Sequence, residues 1–463
     1  MSTKKQTRRL FGTDGIRGKA NEYPMLPDLM LRLGQALGLY FKKNYSKPRI
    51  AIGKDTRISG YMLEQALSSG ICSVGVDTLF LGPVPTPGIA YLTRGLRTNA
   101  GVVISASHNS FQDNGVKIFS ADGYKLPDHI ELEIEEMVFA GVDPSALSLG
   151  DAVGRTRRVD DALGQYAVFL KEQFPKELSL DGLRIVLDCA NGASYRVAPK
   201  VFKELGAEVF LVGVEPNGSN INDQCGALYP QKLAELVSLY KANIGFAFDG
   251  DADRLIVVDD KGEVLDGDEI MAICGLSYLE RGLLKGNTVV ATLMSNMGLE
   301  LALKKKGASL LRTQVGDRYV VEQMRKGGYT LGGEQSGHLI FRDSSTTGDG
   351  ILAALKLLAV MLEKGRSASE LKLCMEKFPQ VTQSVLVKEK VALEDLPEAT
   401  KVLQSIEKKI GEKGRVLFRY SGTENKARLM LEGPHQDELK KMADHFIEVL
   451  AASITSYLKQ KSK

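Results

Sequence analysis

The sequence predicts an α/β protein: three related units with mixed sheets plus a C-terminal α+β domain, four domains around a central cleft. Three observations carry this prediction. Short apolar strands alternate with helical stretches as far as residue 375, the pattern of α/β units. The same strand–helix–strand order occurs three times over. Beyond residue 376 the alternation stops, and short strands lead to one long amphipathic helix.

Taken in order, the first unit opens with a strand at Arg49–Asp55, a helix over Tyr61–Cys72 and a second strand at Gly75–Gly82. The second repeats this with Arg184–Ala190, a helix and Gly206–Gly213, and the third with Asn287–Leu293, a helix and Gly307–Thr313. Each unit then runs through another helical stretch to a third short strand, such as Gly101–Ile104 or Ile244–Phe248. These third strands end in polar loops at Ser105–Asn109, Phe248–Arg254 and Gly332–His338. In the last domain Val381–Val387, Arg415–Phe418 and Ala427–Leu431 read as strands. Leu439, Met442, Phe446 and Leu450 recur at three- and four-residue spacing, the stripe of a helix packed on its own sheet. The domains are expected at 1–155, 156–258, 259–375 and 376–463.

Composition narrows the function. With 43% hydrophobic and 25% charged residues the chain has ordinary globular values. A net charge of +3 gives no reason to expect nucleic acid or an anionic membrane as partner. Lys4–Arg9 reads as a short solvated terminus, no apolar signal core follows it, and Ile351–Leu362 is too short to span a bilayer. Cys72, Cys189, Cys225, Cys274 and Cys374 form no close pair, which fits free thiols in a reducing cytoplasm.

Repetition locates the site, because ligands of open α/β sheets gather beyond the carboxyl ends of strands. Ser107 ends one strand and offers a hydroxyl that can carry a phosphoryl group. Asp249, Asp251 and Asp253 end another and present alternate carboxylates, as a hard divalent cation requires. An EF-hand is rejected: Arg254 stands where its glycine belongs and Asp260 where its glutamate belongs. Ser107 beside His108 is not read as a hydrolase pair, since neighbours in an extended loop seldom present side chains to each other and no nucleophile elbow surrounds them. Arg419–Arg428 packs two arginines, two hydroxyls and a glycine turn into ten residues, a set suited to a phosphate dianion.

These segments resemble the α-D-phosphohexomutase superfamily. The resemblance is carried by Phe11–Gly18, Ser105–Asn109, Asp113–Lys117, Asp249–Arg254, Gly333–His338 and Arg419–Glu424, in the family's order over nearly the whole chain. Asn220–Gly226 and Gln335 resemble its glucosamine branch. Ser110 and Asn425 stand where family members usually have proline.

The resemblance implies an isomerase interconverting glucosamine 6-phosphate and glucosamine 1-phosphate on the route to UDP-N-acetylglucosamine. Phosphorylated Ser107 would be the phosphoryl carrier and a hexosamine 1,6-bisphosphate the intermediate. One Mg²⁺ would be held by Asp249, Asp251, Asp253 and an oxygen of phosphorylated Ser107. Arg17, Lys117 and His338 are candidates for charge stabilisation and proton transfer, with Lys117 equally able to pair with a carboxylate and His338 to orient its loop. His108, Arg254, Glu334 and Ser336 would meet the sugar phosphate. Arg419, Ser421, Gly422, Thr423 and Arg428 would hold the non-reacting phosphate, the fourth domain closing as a lid. The implied partner is a small amino-sugar phosphate, with the chain a cytoplasmic monomer or homodimer. A phosphomannomutase/phosphoglucomutase shares the chemistry and differs in the sugar, and a catalytically silent sugar-phosphate sensor would not need Ser107 and the metal loop together.

Overall fold

Residues 9–12, 14–421 and 425–461 are described by a computed structural model, so Lys4–Arg8 of the basic terminus lie outside it. The first sheet holds β1 (Ile16–Lys19), β2 (Arg49–Lys54), β3 (Asp77–Pro83), β4 (Ala100–Ile104), β5 (Asp113–Ser120) and β6 (Thr156–Arg158), in the order β1-β5-β4-β2-β3-β6. The second holds β7 (Arg184–Asp188), β8 (Glu208–Val212), β9 (Ile244–Phe248), β10 (Leu255–Asp259) and β11 (Val264–Leu265), in the order β11-β10-β9-β7-β8. The third holds β12 (Thr288–Thr292), β13 (Ser309–Thr313), β14 (Leu331–Gly333) and β15 (Leu339–Phe341), in the order β13-β12-β14-β15.

The three repeats share one topology. In each, the second strand lies on one side of the first and the third on the other, all parallel, and a fourth returns antiparallel beside the third. The central strands β4, β9 and β12 are buried throughout, as strands covered on both faces must be. Each third strand therefore ends in a tight return loop, and those loops are the three polar segments. The sequence pattern did not separate β5, β10 and β15, because a polar loop and a second short apolar run read as one irregular stretch.

Helices Pro27–Asn44 and Ile58–Ser73 cover the first sheet and cross at two glycines. A Cβ on Gly34 would lie 2.2 Å from the Leu67 carbonyl oxygen, and one on Gly70 would lie 2.0 Å from that of Leu31. Leu33, Leu37, Leu63, Leu67 and Ile71 are fully buried there, at about 2 kcal/mol each.

The chain divides into two compact units, Met1–Met294 with Gly307–Cys374, and Ser295–Lys306 with Met375–Lys463. In the second, β16 (Gln380–Leu386), β17 (Arg415–Tyr420) and β18 (Lys426–Glu432) form an antiparallel sheet in the order β16-β18-β17. The final helix, Gln436–Lys461, buries Leu439, Phe446 and Leu450 in this unit's core. Segment 295–306 is tied in by Asn296 Nδ2, which donates to Phe378 O at 2.9 Å, and by Met297 N, which donates to Glu432 Oε1 at 2.7 Å. Among the described residues no helix is long and apolar enough to cross a membrane.

Candidate active site

Between β4 and β5 the chain places Ser107 in the left-handed region, φ 52°, a conformation that costs a non-glycine residue about 1–2 kcal/mol. Ser105 stabilises it: its Oγ accepts the Ser107 N–H at 2.9 Å and donates to Asp55 Oδ2 at 2.5 Å. Ser107 Oγ then donates to Asp249 Oδ2 at 2.6 Å and lies 3.2 Å from His108 Nδ1. The expectation that neighbouring Ser107 and His108 point apart is thus corrected, because it holds for extended backbone and Ser107 is not extended. Burial, with Arg254 and Arg17 nearby, lowers the His108 pKa to about 4, so the ring is neutral.

Between β9 and β10, Ala252 also turns left-handed, φ 56°. Asp249, Asp251 and Asp253 each bring one carboxylate oxygen within 4.8 Å of the others. Lys117 Nζ, 2% exposed, donates to Asp251 Oδ2 at 3.1 Å and Asp253 Oδ2 at 3.3 Å. Thr86 Oγ1 donates to Asp251 Oδ2 at 2.6 Å, and the Arg254 amide to Asp249 Oδ1 at 3.1 Å. Burial and the neighbouring Asp253 and Asp251 push the Asp249 carboxyl well above its usual range. At Asp253 burial is outweighed chiefly by Lys117, with Arg254 beside it, and the carboxyl is held well below that range. Asp251 Oδ1 and Asp253 Oδ1 remain buried without a hydrogen bond. Orphaned carboxylate oxygens in an oxygen-only cluster fit a hard cation such as Mg²⁺.

The third loop joins β14 to β15 and packs on the second. Leu255 N donates to Gly337 O at 3.0 Å, and a Cβ on Gly337 would lie 2.2 Å from Leu255 O. A cavity of about 260 Å³ opens here, lined among others by Ser107, Asp253, Arg254, Asp317, Glu334 and His338. Glu334 accepts the Gly316 amide at 3.1 Å, and burial raises its pKa. Ser336 is exposed at the loop's tip.

His338 ring nitrogens stand 3.6 Å from Asp253 and from Asp317. Burial opposes its protonation, but Asp253, Asp317 and Glu334 raise its pKa to about 9. Its Nε2 nevertheless accepts the Gly348 amide at 3.1 Å, which needs a lone pair on that nitrogen. These two pull opposite ways. The directional hydrogen bond decides, leaving the proton on Nδ1, facing Asp253.

Charges continue around the wall. Arg17 donates to Ala106 O at 3.0 Å and is ion-paired with Asp14. Lys125 bridges Asp14 and Asp317 at 2.7 Å each. At Asp14 burial is outweighed by Lys117, Lys125 and Arg17, so its carboxyl stays ionised far below the usual range. Sequence reasoning missed Asp14, Lys125 and Asp317, whose roles depend on contacts between distant segments.

In the second compact unit Arg419 and Arg428 are direct partners across β17 and β18. Burial and the facing Arg428 lower the Arg419 pKa, as expected of like charges placed to receive an anion. Ser421 is buried and its amide donates to Lys426 O at 2.8 Å. Gly422 and Thr423 lie outside the described residues.

Family models of the phosphoglucomutase/phosphomannomutase alpha/beta/alpha domains I, II and III match residues 8–143, 165–262 and 266–378, and that of the C-terminal domain matches 384–449. The phosphoglucosamine mutase of Syntrophotalea carbinolica is 55% identical over 444 residues, 96% of this chain and 97% of that protein. That of Pelobacter propionicus is 56% identical over 444 residues, 96% of this chain and 98% of that protein. The chain belongs to the phosphohexomutase superfamily, on its phosphoglucosamine mutase branch.

Solved phosphohexomutases share the fold. A phosphoglucomutase/phosphomannomutase family protein from Burkholderia thailandensis has a TM-score of 0.78 at 23% identity, covering 96% of this chain and 97% of that one. The Aspergillus fumigatus N-acetylphosphoglucosamine mutase, solved with GlcNAc-6P and magnesium, has a TM-score of 0.68 at 17% identity, covering 97% and 96%. As a phosphohexomutase the chain is an isomerase of the kind that uses Mg²⁺ and a phosphoserine.

Proposed function

We propose that the chain interconverts glucosamine 6-phosphate and glucosamine 1-phosphate through phosphorylated Ser107, on the route to UDP-N-acetylglucosamine. The observation that carries this is Ser107 Oγ, 2.6 Å from an oxygen of the buried aspartate triad, in a chain 55% identical to a phosphoglucosamine mutase over 96% of its length. The bond from phosphorus to Ser107 Oγ breaks as that to a sugar hydroxyl oxygen forms, the hydroxyl's proton in balance ending on Ser107 Oγ, which then donates to Asp249, and the product is a hexosamine 1,6-bisphosphate. The other phosphoryl group then returns to Ser107. Mg²⁺ held by Asp249, Asp251, Asp253 and a phosphoseryl oxygen would neutralise charge in a transition state that needs placement and electrostatics more than covalent help.

Lys117 and Arg17 stay protonated and contribute charge: three carboxylates outweigh burial around Lys117, and Asp14 and Asp251 do so around Arg17. His338 accepts the Gly348 amide on Nε2, which orients its loop, and faces Asp253 with Nδ1 at 3.6 Å. Arg254 and Glu334 line the cavity and meet the sugar phosphate, and the family resemblance extends that role to His108 and Ser336. Arg419, Ser421, Gly422, Thr423 and Arg428 bind the distal phosphate. The functional division is 1–155 for phosphoserine, 156–258 for metal, 259–375 for sugar and 376–463 for distal phosphate. Free cysteines at all five positions suit a reducing cytoplasm. Measuring kcat/KM for glucosamine, glucose and mannose 1-phosphates tests the substrate. Glucosamine 1-phosphate should lead, and a tenfold preference (about 1.4 kcal/mol) for either other sugar would overturn the assignment.

A further inference from the structure

Asn222 belongs to the segment 220–226, which by its sequence resembles the glucosamine branch, yet its side chain reaches backbone of the serine loop. Its Nδ2 donates to Ser107 O and to Asn109 O, 2.9 Å each. Fully buried Arg57 donates from Nη2 to the same two oxygens, also at 2.9 Å. Each carbonyl has two lone pairs, so both oxygens are saturated. Arg57 Nη1 adds Ser110 O and Asp113 O, while Nε donates to Asp55 Oδ2 at 2.8 Å.

The donors are themselves fixed. Asn222 N donates to Ala190 O at 2.9 Å, and Asp188 accepts the amides of Ala190 at 2.9 Å and Gly226 at 2.7 Å. Gly250 fills the remaining space: a Cβ there would lie 2.5 Å from Ser107 O and 2.9 Å from Asn222 Nδ2.

We propose that Asn222, with Arg57, is a positioning residue for phosphoryl transfer, clamping the Ser107 and Asn109 carbonyls so that Ser107 keeps its left-handed conformation with Oγ on Asp249. Segment 220–226 thereby governs the transfer step for every sugar and does not choose among sugars. This rests on Ser107 as phosphoryl carrier. Released from the clamp, Ser107 relaxes toward ordinary φ and its oxygen moves, and a displacement of about 1 Å costs on the order of a hundredfold in rate.

Replacement of buried Arg57 tests folding as much as positioning, so Asn222 carries the experiment. Asn222→Ala should lower kcat and single-turnover transfer from phosphorylated enzyme by about tenfold or more, for glucosamine 1-phosphate and glucose 1-phosphate alike. KM should stay near wild type, and the melting temperature within about 5 °C. Asn222→Asp, which turns an acceptor toward two carbonyl oxygens, should fall further. Wild-type kcat in Asn222→Ala, or a fall confined to one sugar, overturns the clamp. So does a fall matched by a collapsed melting temperature. Wild-type enzyme that transfers no phosphoryl group from Ser107 overturns the phosphoserine reading and the clamp with it, whereas transfer at equal rates in wild type and variant overturns the clamp alone.

Discussion

The serine loop and the aspartate loop occupy the same place in their repeats, between a third parallel strand and its antiparallel return, yet opposite chemistry holds them. Donors on carbonyl oxygens hold the serine loop: Arg57 and Asn222 saturate Ser107 O and Asn109 O. Cations on carboxylates hold the aspartate loop, chiefly Lys117, with two buried carboxylate oxygens left without a hydrogen bond. A neutral nucleophile needs one fixed direction, which several directional hydrogen bonds supply. A cation site needs concentrated negative charge kept ionised and still reachable, which partial neutralisation supplies. One backbone frame thus hosts a rigid group-transfer residue and a charged cradle by changing only what faces the loop.

The largest expected effect removes the residue the first loop exists to aim. Ser107→Ala should lose mutase turnover while its thermal unfolding midpoint moves by no more than about 3 °C, since the side chain contributes little to a core. Product formation from glucosamine 6-phosphate together with a melting curve checks both halves. In the second loop, Asp251→Asn should lower turnover by about a hundredfold or more, the scale of losing one preorganised electrostatic element. Chelator should abolish wild-type activity and added Mg²⁺ restore it, and full activity after metal stripping would break the distinction between the loops.

A smaller effect sharpens the comparison from outside. Arg419→Ala should weaken kcat/KM by about 1.5–3 kcal/mol for a lost charged hydrogen bond, equally for glucosamine 1-phosphate and glucose 1-phosphate. A change of more than a few-fold in the ratio between sugars would show that the arginine hairpin reads more than phosphate. The smallest effect concerns stability alone. Buried Asp349 accepts from Tyr166 Oη at 2.7 Å and caps the helix Gly350–Lys364, whose first amide donates to Ala252 O at 3.0 Å beneath the aspartate loop. Burial raises its pKa to about 6. The folded state therefore holds this proton more tightly than the unfolded chain, and that stabilisation, complete below about pH 4, disappears as pH rises through 6. Asp349→Asn cannot ionise. Relative to wild type it should gain about 2 kcal/mol between pH 4 and pH 7.5 in denaturant titrations, and a constant difference would show that Asp349 does not titrate.

Much of this was legible in the sequence because a repeat announces itself. Three recurrences of strand, helix and strand placed Ser107, Asp249–Asp253 and Glu334–His338 at equivalent strand ends, and the structure brings those loops together. Edge strands escaped notice: β1 is four residues carrying Arg17 and Gly18, and β6 is an exposed Thr156–Arg158. Asp14, Lys125, Asp317, Arg57 and Asn222 escaped for another reason, since each acts on a segment far away in the chain. Polar residues stand at the end of β2 as well, where Asp55 and Arg57 follow its last strand residue, Lys54, so strand ends other than the third in each repeat also carry site residues.

The most direct test of the account follows a labelled phosphoryl group. Enzyme carrying radioactive phosphate on Ser107, mixed with a small excess of unlabelled glucosamine 6-phosphate, should pass one equivalent of label per chain into glucosamine 1-phosphate in the first turnover. Glucosamine 1-phosphate formed while the label stays on the protein would contradict a phosphoserine carrier, and with it the reason for both loops.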